Sequence, residues 1–314
     1  DGDLAGSVTY DGATCESASA SFYIATDITG SLVLKDSAVK AGGAACIFIV
    51  GGILGGTLSA TGGSIGGNWA LSMAGTIDAT GSVAFDDVAL WRAIQVHGVV
   101  AGSLSVNGGT LTSGNYGIAF QADVSGSVSI TDLALTCTSG STAALHVTSC
   151  SGSVAVKGGT LDAVSQAVYC DLDVTGTISL DGVAATSSTA SAITLNAGLL
   201  TGGSLTVTGG TAVSLTDVVA LGEAKHGLQF LEPLPAANIT VVGGNFTGGW
   251  CGISFGGSPS AGTNITFSGV VSEGRALSGM QFLQQIRGAS FAATGGSFTG
   301  NMSGLSFNTL GTGA

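Results

Sequence analysis

The sequence predicts an all-β chain: a single right-handed parallel β-helix of about twelve coils across residues 1–314. Three observations predict it. A short alternating half-strand recurs through the whole chain, a glycine or aspartate turn follows it, and a second apolar half-strand closes each copy. No stretch sustains a helical spacing of apolar residues.

Copies of the opening half-strand start at Gly6, Gly30, Gly56, Gly81, Gly102, Gly126, Gly152, Gly176, Gly203, Ala237, Thr263 and Ala289. The intervals are 21 to 27 residues except one of 34, which reads as a loop insertion at about 211–237 inside one domain. Each copy opens as in Ser153-Val154-Ala155-Val156, so the apolar side chains share one face and their neighbours the other. The seventh position is glycine in nine copies and Asp36, Asp87 or Asp132 in the other three. Glycine reaches positive φ freely and aspartate tolerates it, so these aspartates read as turn residues and not as catalysts. The second half-strand carries a small residue, an apolar one, a free position and another apolar one, as in Ala93-Ile94-Gln95-Val96 and Gly252-Ile253-Ser254-Phe255.

With strands about 4.8 Å apart, twelve such coils form a rod about 55–60 Å long. This architecture resembles the right-handed parallel β-helix superfamily, which includes pectate lyases, phage tailspikes and bacterial adhesins. The resemblance covers nearly the whole chain and lies in the architecture alone. It implies an extracellular protein that is structural and adhesive, or one that binds or cleaves carbohydrate. Lyases of that superfamily rely on clustered acidic calcium ligands and an arginine base. Here Asp86-Asp87, His97 and His226 match only fragments of polygalacturonase motifs, whose companion pieces are missing.

The outward rows are nearly uncharged. The second position holds eight serines, Thr57, Thr177, Asn238 and Asn264, a hydroxyl ladder suited to a solvated face, a subunit contact or an ice-binding plane. Asn238, Asn245, Asn264 and Asn301 each begin an N-glycosylation sequon. Trp69, Trp91 and Tyr116 precede the second half-strand in successive copies, with Trp250 at the matching place further on. They are expected to stack along one corner as carbohydrate or subunit contacts. Asp27, Asp78, Asp123 and Asp173 share a slot on alternate coils, too far apart to share one cation, and read as turn caps. Glu223, Lys225, His226 and Glu232, near Glu273 and Arg275, form the one mixed charged cluster.

Only 8% of residues are charged and the net charge is −12 with 7 basic residues, which argues against a nucleic-acid partner. The stretch "AGGAACIFIVGGILGG" at 41–56 is too short and glycine-rich for a membrane span. No zinc-like CxxC pair occurs, and the sequence calls for no cofactor and no metal. Among the six cysteines, adjacency favours a disulfide of Cys15 with Cys46, and of Cys150 with Cys137 or Cys170. The chain opens on Asp1 and shows no signal peptide, as in a processed or excised segment. Neither end shows a capping helix or charged blocking strand. The sequence therefore predicts a non-enzymatic, glycosylated surface subunit that self-associates head to tail into a filament.

Overall fold

The computed structural model describes residues 4–139, 143–171, 174–195, 212–231, 233–234, 238–286 and 288–308. They form a parallel β-solenoid of about eleven turns, all β, as the repeat predicts. Among them no helix is long and apolar enough to cross a membrane, and residues 45–49 of the apolar stretch form a strand.

Three parallel sheets run along the rod. The first holds the opening strand of each coil, twelve in all, from Ser7–Asp11 to Ser290–Thr294. Its register never slips: Ser103 pairs with Ser82 on one side and Ser127 on the other, and every other coil follows the same rule. The second sheet consists of four-residue strands such as Thr110–Ser113 and Ala134–Cys137. The third contains the closing half-strands, such as Ile118–Val124 and Cys251–Phe255. In coils 3 and 4 the second and third sheets are continuous, through Ser64–Met73 and Ala89–Val96.

Inside lie columns of like residues. Leu104, Val106, Leu111, Ile118 and Phe120 of coil 5 are all at most 1% exposed. A further column of single bridges joins Leu4, Ile28, Ile53, Ile77, Val100 and Val124, and continues from Cys150 to Val174. Beside it the alternate-coil aspartates act as caps. Asp78 Oδ1 accepts from the amides of Gly55, Thr80 and Gly81, and Asp27 Oδ1 accepts from the amide of Gly52 at 2.6 Å. Asp173 lies outside the described residues.

Coil 9 corrects the sequence reading. Its expected opening at 204–207 lies outside the described residues, and the first-sheet strand here is Ala212–Thr216, paired with Thr177–Asp181 and Asn238–Val242. Within the region 211–237, expected as a loop, the described residues 212–231 hold this strand and two further ones, Val219–Gly222 and His226–Phe230. The extra length falls before this coil. Ala212-Val213-Ser214-Leu215 satisfies the same alternation as Ser204-Leu205-Thr206-Val207, so pattern alone offers two frames. The turn decides between them, because Asp217 then takes the seventh position with φ +48°. Ala212 accordingly stands where the serine ladder was expected to continue.

The turn reading of Asp36, Asp87 and Asp132 holds, with φ of +43°, +52° and +51°. Each is followed in the next coil by a glycine that its carboxylate crowds. A Cβ on Gly108 would sit about 2.0 Å from Asp87 Oδ1, at a φ of +63°. Gly108→Ala is therefore expected to destabilise the rod by about 1–2 kcal/mol. Asp87→Gly should restore part of that loss, which thermal melts of the two variants and the double variant will read.

Candidate functional site

The outward row of the second sheet begins Glu16, Lys40, Gly66, Trp91 and Thr112, one residue per coil in parallel register. A side chain is missing at Gly66, and Trp91 leans into that gap. A Cβ on Gly66 would meet Trp91 Cβ at 2.9 Å and its Cγ and Cδ1 at 3.3 Å. The result is a hollow of about 380 Å³ bounded by Lys40, Ser64, Gly66, Gly67 and Trp91. Lys40 also borders an adjoining hollow of about 330 Å³, which Glu16, Ser17, Ala18 and Gly42 complete.

Why Trp91 points here follows from the next residue. Arg92 has φ +77° and is the sole described residue other than glycine and aspartate with positive φ. The register jumps at this point: Trp91 pairs with Gly66, but Ala93 pairs with Trp69. One residue turns the corner in coil 4, where coil 3 spends Gly67 and Asn68. Such bulges re-aim side chains, and backbone strain of this kind clusters at functional sites.

The predicted aromatic corner is therefore not a stack. Trp69 and Trp91 take separate positions, 38% and 58% exposed, without ring contact to each other or to Tyr116 among the described residues. Tyr116 stacks instead on His146 at 5.5 Å, and His146 stacks on Tyr169 at 5.4 Å. Trp250 meets His226 edge-on at 5.9 Å. Equal offsets along the chain do not place rings together when coils differ in corner length.

Each other predicted position is accounted for by its coil. Asn238 and Asn264 stand exposed and adjacent on the first sheet, where Asn264 Nδ2 donates to Asn238 Oδ1 at 3.0 Å and Ser290 Oγ donates to Asn264 Oδ1 at 2.6 Å. Asn245 and Asn301 are exposed beside turns. Asp86 accepts from Asn107 Nδ2 at 2.7 Å, and His97 is exposed. Glu223 and Arg275 lie exposed two coils apart along one corner, with Gly249 between them, while His226 is buried. Glu232 lies outside the described residues.

No disulfide forms: all six cysteines are free thiols. They fall in different columns, and the expected pairs do not share one. Cys15 pairs with Val39, and Cys46 Sγ donates to the carbonyls of Val39 and Gly66. Cys137 lies in the second sheet against Ser113 and Ala163, Cys150 in the single-bridge column, and Cys170 in the third sheet. Burial pushes the thiols of Cys137 and Cys150 up to about 12 and about 11, and raises Cys46, Cys170 and Cys251 as well. A thiol kept protonated in this way is a poor nucleophile.

In comparisons with known proteins, no family model, no curated protein and no solved structure matches this chain.

Proposed function

We propose that the chain is a non-enzymatic structural subunit of an extracellular assembly, built by stacking coil 12 of one copy on coil 1 of the next. The observation that carries this reading is the unbroken first sheet, twelve five-residue strands in one register, so that any coil stacks on another by the same rule. Interior slots such as Leu104 and Phe120 are at most 1% exposed, whereas Leu305 is 40% and Phe307 42% exposed and Phe291 and Phe298 are only partly buried. At the other end Val8, Cys15, Phe22 and Ile24 are also partly buried.

The two faces suit each other. In continuing register, Phe291 meets Val8, the small Ala293 meets Tyr10, Phe298 meets Cys15, and Phe22 and Ile24 meet Leu305 and Phe307. Strand lengths agree in the first two sheets, at five and four residues. A coil of a second copy added in this register would pair its strands and share its apolar slots, and a head-to-tail contact of this kind propagates as a filament. The carboxylates support a structural role: Asp27, Asp78 and Asp123 spend their oxygens on amides and hydroxyls of neighbouring turns. The exposed sequon asparagines and the serine rows then face solvent as a hydrated, glycan-bearing surface.

Negative-stain electron microscopy of the full chain tests this, with intact mass measured alongside. Filaments with an axial repeat of about 55–60 Å and a mass above 30.3 kDa by whole sugar units are expected from the native source. Leu305→Lys with Phe307→Lys should leave single rods, because a charge would be buried at the joint. Isolated rods at high concentration in the unsubstituted protein would sink the proposal.

A further inference from the structure

We propose that the groove running from Glu16 to Trp91 on the second sheet binds a neutral oligosaccharide. This inference stands apart from end stacking, since the groove lies on the flank of coils 1 to 4 and uses none of the end-face slots.

The groove has the two kinds of surface that a pyranose chain needs. Trp91 offers an indole 58% exposed, and the apolar face of a sugar ring packs on such a ring. The floor beneath it is bare backbone at Gly66 and Gly67. A Cβ on Gly67 would meet the carbonyl oxygen of Ala44 at 2.8 Å, so this floor accepts no side chain. Around the rim the hydrogen-bonding groups are of complementary kinds. The Lys40 ammonium only donates, the Glu16 carboxylate only accepts, and the Ser64 hydroxyl does both. Hydroxyl groups of a sugar satisfy all three.

Charge and length narrow the class. Lys40 and Glu16 are register neighbours of opposite sign, so the rim is neutral overall and gives no advantage to an anionic chain. From Glu16 to Trp91 is three strand steps, about 14 Å. That length takes several linked sugar rings. A peptide suits the groove poorly, because the backbone groups beneath are spent on the strands of adjacent coils and leave a peptide backbone without partners. The bulge at Arg92 holds Trp91 over the glycine gap and accounts for strain retained at this one corner.

Isothermal titration of the full chain with cellopentaose, chitopentaose and maltopentaose, alongside pentagalacturonate and an uncharged ten-residue peptide, tests the proposal. Saturable binding of at least one neutral pentasaccharide is expected. Trp91→Ala should weaken it at least about tenfold, the loss typical of an aromatic anchor. Gly66→Ala should weaken it similarly, because its methyl intrudes on the bare floor and displaces the indole. Trp250→Ala, six coils away, should bind as the unsubstituted protein does, and unchanged melting temperatures will exclude unfolding of the variants. No saturable binding of any neutral chain, tighter binding of pentagalacturonate or of the peptide, or full affinity in Trp91→Ala would each overturn the proposal.

Discussion

Phe255→Ala is expected to cost about 4 kcal/mol and to release the last two coils ahead of the rest of the rod. Phe255 is 1% exposed and stands in a column with Phe230, Phe282 and Phe307. The ring centroids are 4.7, 4.4 and 5.2 Å apart along the column, with planes within 7° of parallel. Those spacings follow the strand spacing of a sheet, so the backbone itself sets the stack. Across the core, Phe255 also meets Phe267 edge-on at 6.4 Å. Truncation removes a large buried ring with all its neighbours and leaves a cavity that rigid coils cannot close. Because each coil touches only the next, the damage stays local. Native-state hydrogen exchange should show the amides of Asn264–Ser268 and Ser278–Phe282 losing protection while coils 4 to 7 keep theirs. Phe120 sits between Val96 and Val147 without ring partners on either side, so Phe120→Ala should cost less. A uniform loss of protection from end to end in Phe255→Ala would contradict this account.

The columns that make such a prediction possible were legible where one strand face is wholly buried. Leu104 and Val106 alternate with serines, Ile118 and Phe120 flank the small Ala119, and a one-residue slip would turn either pair outward. The second sheet was not legible as a separate layer. A strand such as Thr110–Ser113 carries one large apolar residue in four, and its flanking glycines read as a long turn. The bridge column from Ile28 to Val124 was hidden too, because it contributes one apolar residue per coil with no periodicity around it. In coil 9 two frames fit the alternation equally, and only the geometry at Asp217 separates them. The groove depends on contacts between coils. Trp91 was visible as an aromatic residue near a corner, but its place over Gly66 depends on how residues 66 and 91 align across a corner of unequal length. The cysteines were paired by coil adjacency, a rule that ignores which column each side chain enters.

Between pH 6.5 and about 4 the rod is expected to lose about 3 kcal/mol of stability, centred on coils 9 and 10. His226 is 5% exposed and its Nδ1 has no hydrogen-bond partner. Burial pushes its pKa down to about 4; a backbone hydrogen bond with Cys251 opposes the fall, and the neighbouring Lys225 ammonium adds to it. An unfolded chain takes up this proton near pH 6.5, whereas the folded chain resists it. Below pH 6.5 the unfolded state therefore binds more protons, and stability falls with pH until the folded group also protonates. A difference between 6.5 and about 4 corresponds to about 3 kcal/mol at 1.36 kcal/mol per pH unit. His146 acts in the same direction: burial between Tyr116 and Tyr169 lowers its pKa, while Asp171 partly restores it. Asp78 falls in a separate window. Its carboxyl is held below the usual range by the amide of Gly55 first and by its other turn partners, so its contribution disappears only in stronger acid. Urea melts from pH 7.5 to 4 should show the acid slope, and His226→Phe, which keeps an aromatic ring in the slot, should flatten it. Parallel slopes for the two proteins would locate the acid sensitivity elsewhere. Hydrogen exchange at pH 4.5 gives the position independently: strands His226–Phe230 and Cys251–Phe255 should open first, because a charge forced onto the ring at 226 has no acceptor at Nδ1 and sits beside Lys225.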